Sequence, residues 1–171
     1  QGAGSTFLLD TLLRINEGLG RSPGQYRQAL ASSFMLSADN AHGVHPNYPE
    51  KACPTNRPYL NEGIVIKYSA NQKYTTDGMA AAVFTQICER AGVPVQKFLN
   101  RSDILGGSTL GNISGTQVAL NSVDIGLAQL AMHSPYETGG IKDTDYLIAA
   151  AKEFFRTSVV EIGSGEYRVK E

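Results

Sequence analysis

The sequence predicts an α/β layer sandwich built on a mostly parallel or mixed sheet. Short apolar runs of strand length alternate with longer segments whose apolar residues recur at helical spacing, which is the pattern of a sheet covered by helices. Gly, Pro, Ser and Asn clusters separate them as turn signals. At 171 residues, 42% hydrophobic and 18% charged, the chain is long and apolar enough for one domain with a real core.

The elements follow in order. Ser5 is placed to cap a helix carrying Phe7, Leu8, Leu12, Leu13 and Ile15, ending at Gly18 or Gly20. The glycines of residues 18–24 superficially resemble a phosphate loop, but they follow a helix and include no Gly-Lys-Ser/Thr, so that reading is discarded. A short helix over 25–32 leads to a buried strand, Phe34-Met-Leu-Ser-Ala38. Residues 39–62 hold several Pro and Asn and two His, too long for an idle connection. A strand over 63–68 is followed by a helix capped by Thr76 or Asp77 and stopped by Gly92. Residues 95–99 read as a short strand. The Gly-rich turn 106–111 opens a helix expected to run to about Leu120, and 123–130 reads as one buried strand. A last helix over 143–156 sets Tyr146, Leu147, Ala150 and Phe154 on one face. The tail is a hairpin turning at Gly163-Ser-Gly165.

Composition excludes several functions. A net charge of −1 with no cluster of Lys or Arg excludes a nucleic-acid binder. No apolar run approaches the roughly 20 residues of a membrane span. The chain opens without Met or a secretory leader, which points to a piece of a longer, cytoplasmic polypeptide. Cys53 and Cys88 lie in unlike contexts, a Pro-rich loop and a helical run, and are read as free thiols in a reducing compartment. The Asn-x-Ser sequons at Asn100 and Asn112 carry little weight without a leader.

Ligands of α/β sheets gather at the carboxyl ends of strands. Asp39, His42 and His45 follow the predicted strand 34–38, and His133 follows the predicted strand 123–130. All three histidines of the chain thus fall after strand ends, with one carboxylate. Zinc favours such donors, at about 2.0–2.2 Å. On spacing alone, hydrogen-bonding loop roles are the ordinary reading and metal ligation the rarer one. On the same footing Lys67 reads as a solvated strand-end lysine and Tyr74 as a half-buried core aromatic.

Longer motifs narrow the choice. Ser37-Ala-Asp-Asn-Ala-His-Gly-Val-His-Pro-Asn-Tyr48 resembles the loop of the aspartyl aminopeptidase family of two-metal peptidases, whose pattern is Ser-Ala-Asp-x-Ala-His-Ala-x-His-Pro-Asn-Tyr. The resemblance continues in Gly63-Ile-Val-Ile-Lys67, Gln72-Lys-Tyr74, Gly107-Ser-Thr-Leu-Gly111, Asp124-Ile-Gly126 and Gln129-Leu-Ala-Met-His-Ser134. Even the opening Gln1-Gly-Ala-Gly-Ser5 resembles the segment after the family's Glu-Glu pair. The motifs keep the family's order from Gln1 to about Phe155.

The resemblance implies a three-layer α/β/α sandwich of the zinc-exopeptidase type with a mixed sheet, of which residues 1–171 are the C-terminal portion of the catalytic domain. It implies Asp39 as ligand of one metal and His133 as ligand of the other. His42, Lys67, Tyr74, Gly107, Ser108, Thr109 and Met132 would line the substrate pocket, the Gly-rich turn through its backbone donors, and His45 would support the loop. Two zinc ions per full site are implied, with Mn or Co compatible with the same donors. The family's upstream His, bridging Asp and Glu-Glu pair would precede Gln1, so no catalytic base is assigned in this chain. Glu137 is the one local stand-in and reads as a surface residue. The family's inserted dimerisation domain is also absent. Expected partners are a peptide substrate, the remainder of the same polypeptide, and further copies in a homo-oligomer, a dodecamer in the family. The implied reaction is hydrolytic removal of an N-terminal residue. The competing readings are a metal-dependent amidohydrolase of acylated amino acids and a non-catalytic scaffold subunit.

Overall fold

A computed structural model describes residues 2–170. Two helices open the chain, α1 (Phe7–Gly18) and α2 (Pro23–Ala31). Thr6, not Ser5, is the N-cap of α1, and its hydroxyl bonds the Asp10 carboxylate at 2.7 Å instead of a backbone amide. At α2 the Ser22 hydroxyl accepts from Gln25 N–H while the Gln25 side chain accepts from Ser22 N–H, a reciprocal capping box with Pro23 in the first turn.

The main sheet is mixed, as expected. It comprises β1 (Phe34–Ala38), β3 (Ile64–Tyr68), β4 (Val95–Leu99) and β5 (Asn121–Gly126) in the order β1-β5-β3-β4. β1 runs parallel to β5 and β3 parallel to β4, while β3 and β5 are antiparallel. The helices α3 (Gly78–Arg90) and α5 (Ile141–Arg156) pack against this sheet. Ile64 and Ile66 of β3, with Val123 and Ile125 of β5, meet Phe84 and Cys88 of α3 and Ala150 of α5 in the main core. Each fully buried Ile or Phe there contributes about 1.5–3 kcal/mol. Strand alternation turns Val65 and Lys67 to the opposite face, where Val65 joins Tyr74, Phe98, Ala41 and Ala128. Asp77 caps α3 by accepting from Ala80 N–H, and Gly92, at φ 66°, turns the chain out of it.

Two elements depart from expectation. The run 123–130 is not one strand: it leaves the main sheet after Gly126 and continues as β6 (Ala128–Leu130) in a second sheet. That sheet also holds β2 (Ala41–His42) and β7 (Thr138–Gly139), in the order β2-β6-β7. The parallel partner bends with it, because Ala38 opposes Ile125 and Ala41 opposes Ala128 in one unbroken register. Asp39 N–H bonds Ile125 C=O and Ala41 N–H bonds Leu127 C=O across the bend, both at 2.9 Å. The helix after the Gly-rich turn, α4 (Leu110–Gly115), stops well short of Leu120, since Ser114 and Gly115 are weak helix formers and the chain closes in a turn on the Ser114 carbonyl. A 3-10 turn, Pro49–Lys51, lies in the long loop.

The tail is the expected hairpin, β8 (Ser158–Gly163) and β9 (Glu166–Lys170). Val169 packs on Val83 and Ile87 of α3, and Arg90 donates to the Val169 carbonyl at 2.7 Å. No helix among the described residues is long and apolar enough to cross a membrane.

Candidate metal centre

The predicted ligand-type residues lie at and just beyond the bend of the two parallel strands. Asp39 lies where β1 leaves the main sheet, His42 ends β2, and His133 follows β6 by three residues. Close backbone approach makes the bend possible: a Cβ on Gly126 would stand 2.0 Å from the Asp39 carbonyl oxygen. Asp39 is half-exposed and His133 is exposed, while the His42 ring is covered on one side, 6.5 Å from that of Phe98. Burial first, then the like charges of His133 and Lys67, hold the His42 imidazole below the usual histidine pKa. The Lys67 ammonium lies 3.8 Å from Asp39 Oδ2.

His133 sits in a strained turn. Ala131 and His133 both adopt positive φ, 54° and 66°, a region that non-glycine residues visit rarely. Glu137 Oε1 accepts from His133 N–H at 2.7 Å, and Ser134 N–H closes on the Ala131 carbonyl at 3.0 Å. Glu137 is exposed, and its carboxylate is engaged with that backbone. Backbone strain held by a specific partner beside a candidate ligand is a common feature of functional turns.

Tyr74 is buried, its ring centroid 6.2 Å from that of Phe98 and its hydroxyl accepting from Asn100 at 3.3 Å. Met132 lines a cleft of about 460 Å³ with His42, His45, Tyr48, Phe98 and Gln129. His45 Nδ1 accepts from Asn47 N–H, and its ring lies against Tyr48, so it supports the loop. In the Gly-rich turn Gly107 and Ser108 are exposed and Thr109 is buried, with no partner for its hydroxyl. One backbone donor there, Gly111 N–H, already bonds the Ser37 hydroxyl at 3.2 Å. Lys67 is not the solvated strand-end lysine that spacing alone suggests. It is only 2% exposed, and its ammonium donates to the carbonyls of Asp39 and Asn40 at 2.9 and 3.2 Å.

Asp124 is the residue that motif reading quoted without giving it work. Fully buried, it accepts from the Ser37 hydroxyl and from both the amide and the hydroxyl of Thr75. It ties the strand before Asp39 to the loop that bears Tyr74. Its signal in the sequence was a lone carboxylate between Val123 and Ile125, which must find donors when buried.

A carboxylate and an imidazole are donors that zinc accepts, so Asp39 and His133 fit the metal in kind. Among the described residues no three His, Cys, Asp or Glu side chains come together. The arrangement offers ligands without completing a coordination set.

The family described as Aminopeptidase I zinc metalloprotease (M18) matches residues 1–155. The chain is 51% identical over 155 residues to a probable M18 family aminopeptidase 2 of Clostridium acetobutylicum, covering 91% of this chain and 36% of that protein. It is 39% identical to a probable aspartyl aminopeptidase of Ricinus communis, over 91% of this chain and 32% of that one. The solved mApe1 dodecamer of S. cerevisiae superposes with a TM-score of 0.76 at 28% identity, over 91% of this chain and 34% of that chain. The chain therefore spans about a third of the length of these relatives. Ligand-type residues at a double strand bend and a match over residues 1–155 agree: this chain belongs to the M18 aminopeptidase family of zinc metalloproteases.

Proposed function

We propose that residues 1–171 are the C-terminal portion of the catalytic domain of a zinc aminopeptidase that hydrolyses the N-terminal residue from peptides. The observation that supports the reading is the joint bend of β1 and β5 into β2 and β6, with Asp39 at the bend, His42 at the end of β2 and His133 three residues after β6. Asp39 and His133 each hold one of two divalent ions, and the further ligands and the general base come from a preceding segment. Zinc, when bound, supplies Lewis acidity to the scissile carbonyl and a water of lowered pKa. Mn and Co suit the same oxygen and nitrogen donors. His42, held toward its neutral form by burial and by neighbouring positive charge, is available to accept a hydrogen bond at the substrate edge. Met132 and Phe98 give the cleft an apolar wall, Tyr74 backs Phe98 from the buried side, and the exposed Gly107 and Ser108 offer backbone donors.

A homo-oligomer belongs to the same reading. It is supported by the dodecamer of the yeast neighbour and by the highly exposed Phe7, Leu105, Ile141 and Phe155 on this chain. A cytoplasmic setting is supported by two cysteines that are free of any disulfide.

The test uses the full-length protein. Asp39→Ala and His133→Ala are expected to abolish turnover of aminoacyl substrates and to lower bound zinc, with circular dichroism unchanged. Wild-type zinc content and turnover in both variants would remove the assignment.

A further inference from the structure

Asp124 is a carboxylate in the middle of the main sheet, fully buried and in no direct ion pair among the described residues. Strand alternation sends Val123 and Ile125 to the main core and Asp124 to the opposite face, where Tyr74 and Ala128 pack. Ser37, its neighbour in the parallel register, points to the same face. Asp124 Oδ1 accepts from the Ser37 hydroxyl, and Oδ2 accepts from Thr75 N–H and, at 2.8 Å, from the Thr75 hydroxyl. Its main chain engages the same loop. The pairing of β3 with β5 ends at Ile125, and beyond it Asp124 N–H donates to the Thr76 hydroxyl at 2.9 Å.

A charge buried without a counter-ion is costly, and an apolar side chain like those on either side of it would avoid the cost. What the carboxylate gains is a grip on segments that no strand pairing holds. Ser37 passes the connection on, because its hydroxyl also accepts from Gly111 N–H at 3.2 Å, at the end of the Gly-rich turn. A Cβ on Gly111 would stand 2.5 Å from the Ser37 Cβ, so the turn is seated directly on β1. On the other side Thr75 follows Tyr74, whose ring packs on Phe98 of the cleft. One carboxylate thus joins β5 to β1, to the Gly-rich turn and to the Tyr74 loop.

We propose that Asp124 is a positioning residue for substrate binding: through Ser37 it seats the Gly-rich turn, and through Thr75 the loop bearing Tyr74, so that two walls of the pocket are set from one buried point. The inference rests on the aminopeptidase reading above and on that turn and Tyr74 belonging to its pocket. A displacement of about 1 Å in groups that place a substrate costs on the order of 10²-fold in rate.

The experiment compares Asp124→Asn, Ser37→Ala and Thr75→Val with wild type in the full-length protein. Asn keeps the shape of Asp124 but cannot accept from both sides at once, and the other two variants each cut one arm. Zinc content, kcat and KM on aminoacyl substrates, and hydrogen exchange in residues 72–77 and 107–112 are measured. For Asp124→Asn the expected result is a raised KM, kcat/KM lower by about 10–100-fold, unchanged zinc and faster exchange in both segments. Ser37→Ala is expected to quicken exchange in 107–112 alone and Thr75→Val in 72–77 alone, each with a smaller rise in KM. A purely structural role removes active molecules and leaves KM where it was, so an unchanged KM in Asp124→Asn would overturn the proposal, whatever happens to stability. If Asp124→Asn fails to fold, the two single-arm variants decide: a raised KM with exchange quickened in the matching segment supports positioning, and wild-type KM in both overturns it. The underlying reading is tested separately by the wild-type protein. No turnover of aminoacyl substrates there would reject the aminopeptidase, whereas normal turnover with unaltered KM in the variants would reject the role of Asp124 alone.

Discussion

At the scale of single residues, the chemistry was more legible than the contacts. Asp39, His42 and His133 could be picked out because ligand-type residues after predicted strand ends are few in this chain, and the motif around residues 37–48 is long. The orientation of Lys67 was not legible, because nothing in the sequence says that the carbonyls of Asp39 and Asn40 lack a strand to pair with. Gly126 illustrates the same limit, since only the fold presses the Asp39 carbonyl onto it. Replacing a strand glycine by alanine ordinarily gains about 0.5–1 kcal/mol through chain entropy. Here the new Cβ would stand 2.0 Å from a backbone oxygen, and overpacking of that kind costs about 1–3 kcal/mol. Gly126→Ala is therefore expected to lower the urea midpoint, and an unchanged or raised midpoint would show that the bend gives way freely. The two cysteines offer a second check. Hydrogen bonding from Thr55 and Asn56 brings the Cys53 thiol down to about 6, while burial first, and Glu89 beside it, push Cys88 up to about 12. At pH 7 iodoacetamide is expected to modify Cys53 and spare Cys88 until the protein is denatured, as peptide mass mapping will show. Equal labelling of both in the folded state would contradict this.

At the scale of elements, segments with clear end signals were read well, and two-residue or doubly buried ones were not. The strand Phe34–Ala38 and the strand Val95–Leu99 have the bounds that their apolar runs implied. The run 123–130 is buried almost throughout, so no alternation marks the residue at which it changes sheets. β2, only two residues long, falls below any periodicity. Local chemistry also ranks the connections by strength. Ser22 caps an exposed helix start, and removing such a hydroxyl costs about 1 kcal/mol. Asp143, fully buried at the start of α5, accepts from Asn61 N–H at 2.8 Å and Gly63 N–H at 3.2 Å, joining α5 to the entry of β3. Each buried amide left without a partner costs about 1–3 kcal/mol. Asp143→Ala is thus expected to destabilise the chain clearly more than Ser22→Ala in parallel denaturant titrations. The reverse order would mean that the α5–β3 junction relaxes to let water in.

At the scale of the whole molecule, the topology determines what residues 1–171 can do by themselves, and they are expected to show no aminopeptidase turnover even with excess metal. The sheet order leaves β1 and β4 at the edges, and the chain covers about a third of the length of its relatives. The mixed sheet was legible in the alternation of strands and helices, whereas the second sheet was not, because it arises from a bend that two strands make together. The expectation of inactivity comes from counting ligands. A catalytic zinc takes about three protein ligands and one open position, so two ions sharing a bridging group need about five or six donors. The proposed ligands Asp39 and His133 are two, and no three His, Cys, Asp or Glu side chains converge among the described residues. Without a bridging carboxylate two dications repel each other, and the second should not bind close to the first. A general base by itself accounts for on the order of 10²–10⁴ in rate. Glu137, the one carboxylate near His133 that could stand in, is occupied at 2.7 Å by the His133 amide, and withdrawing it would release the strained turn that presents the imidazole. The measurement is to titrate residues 1–171 with Zn, Mn and Co and to assay a panel of aminoacyl substrates beside the full-length protein. Turnover comparable to the full-length protein would refute the half-site, and Glu137→Gln would then be the first variant to make.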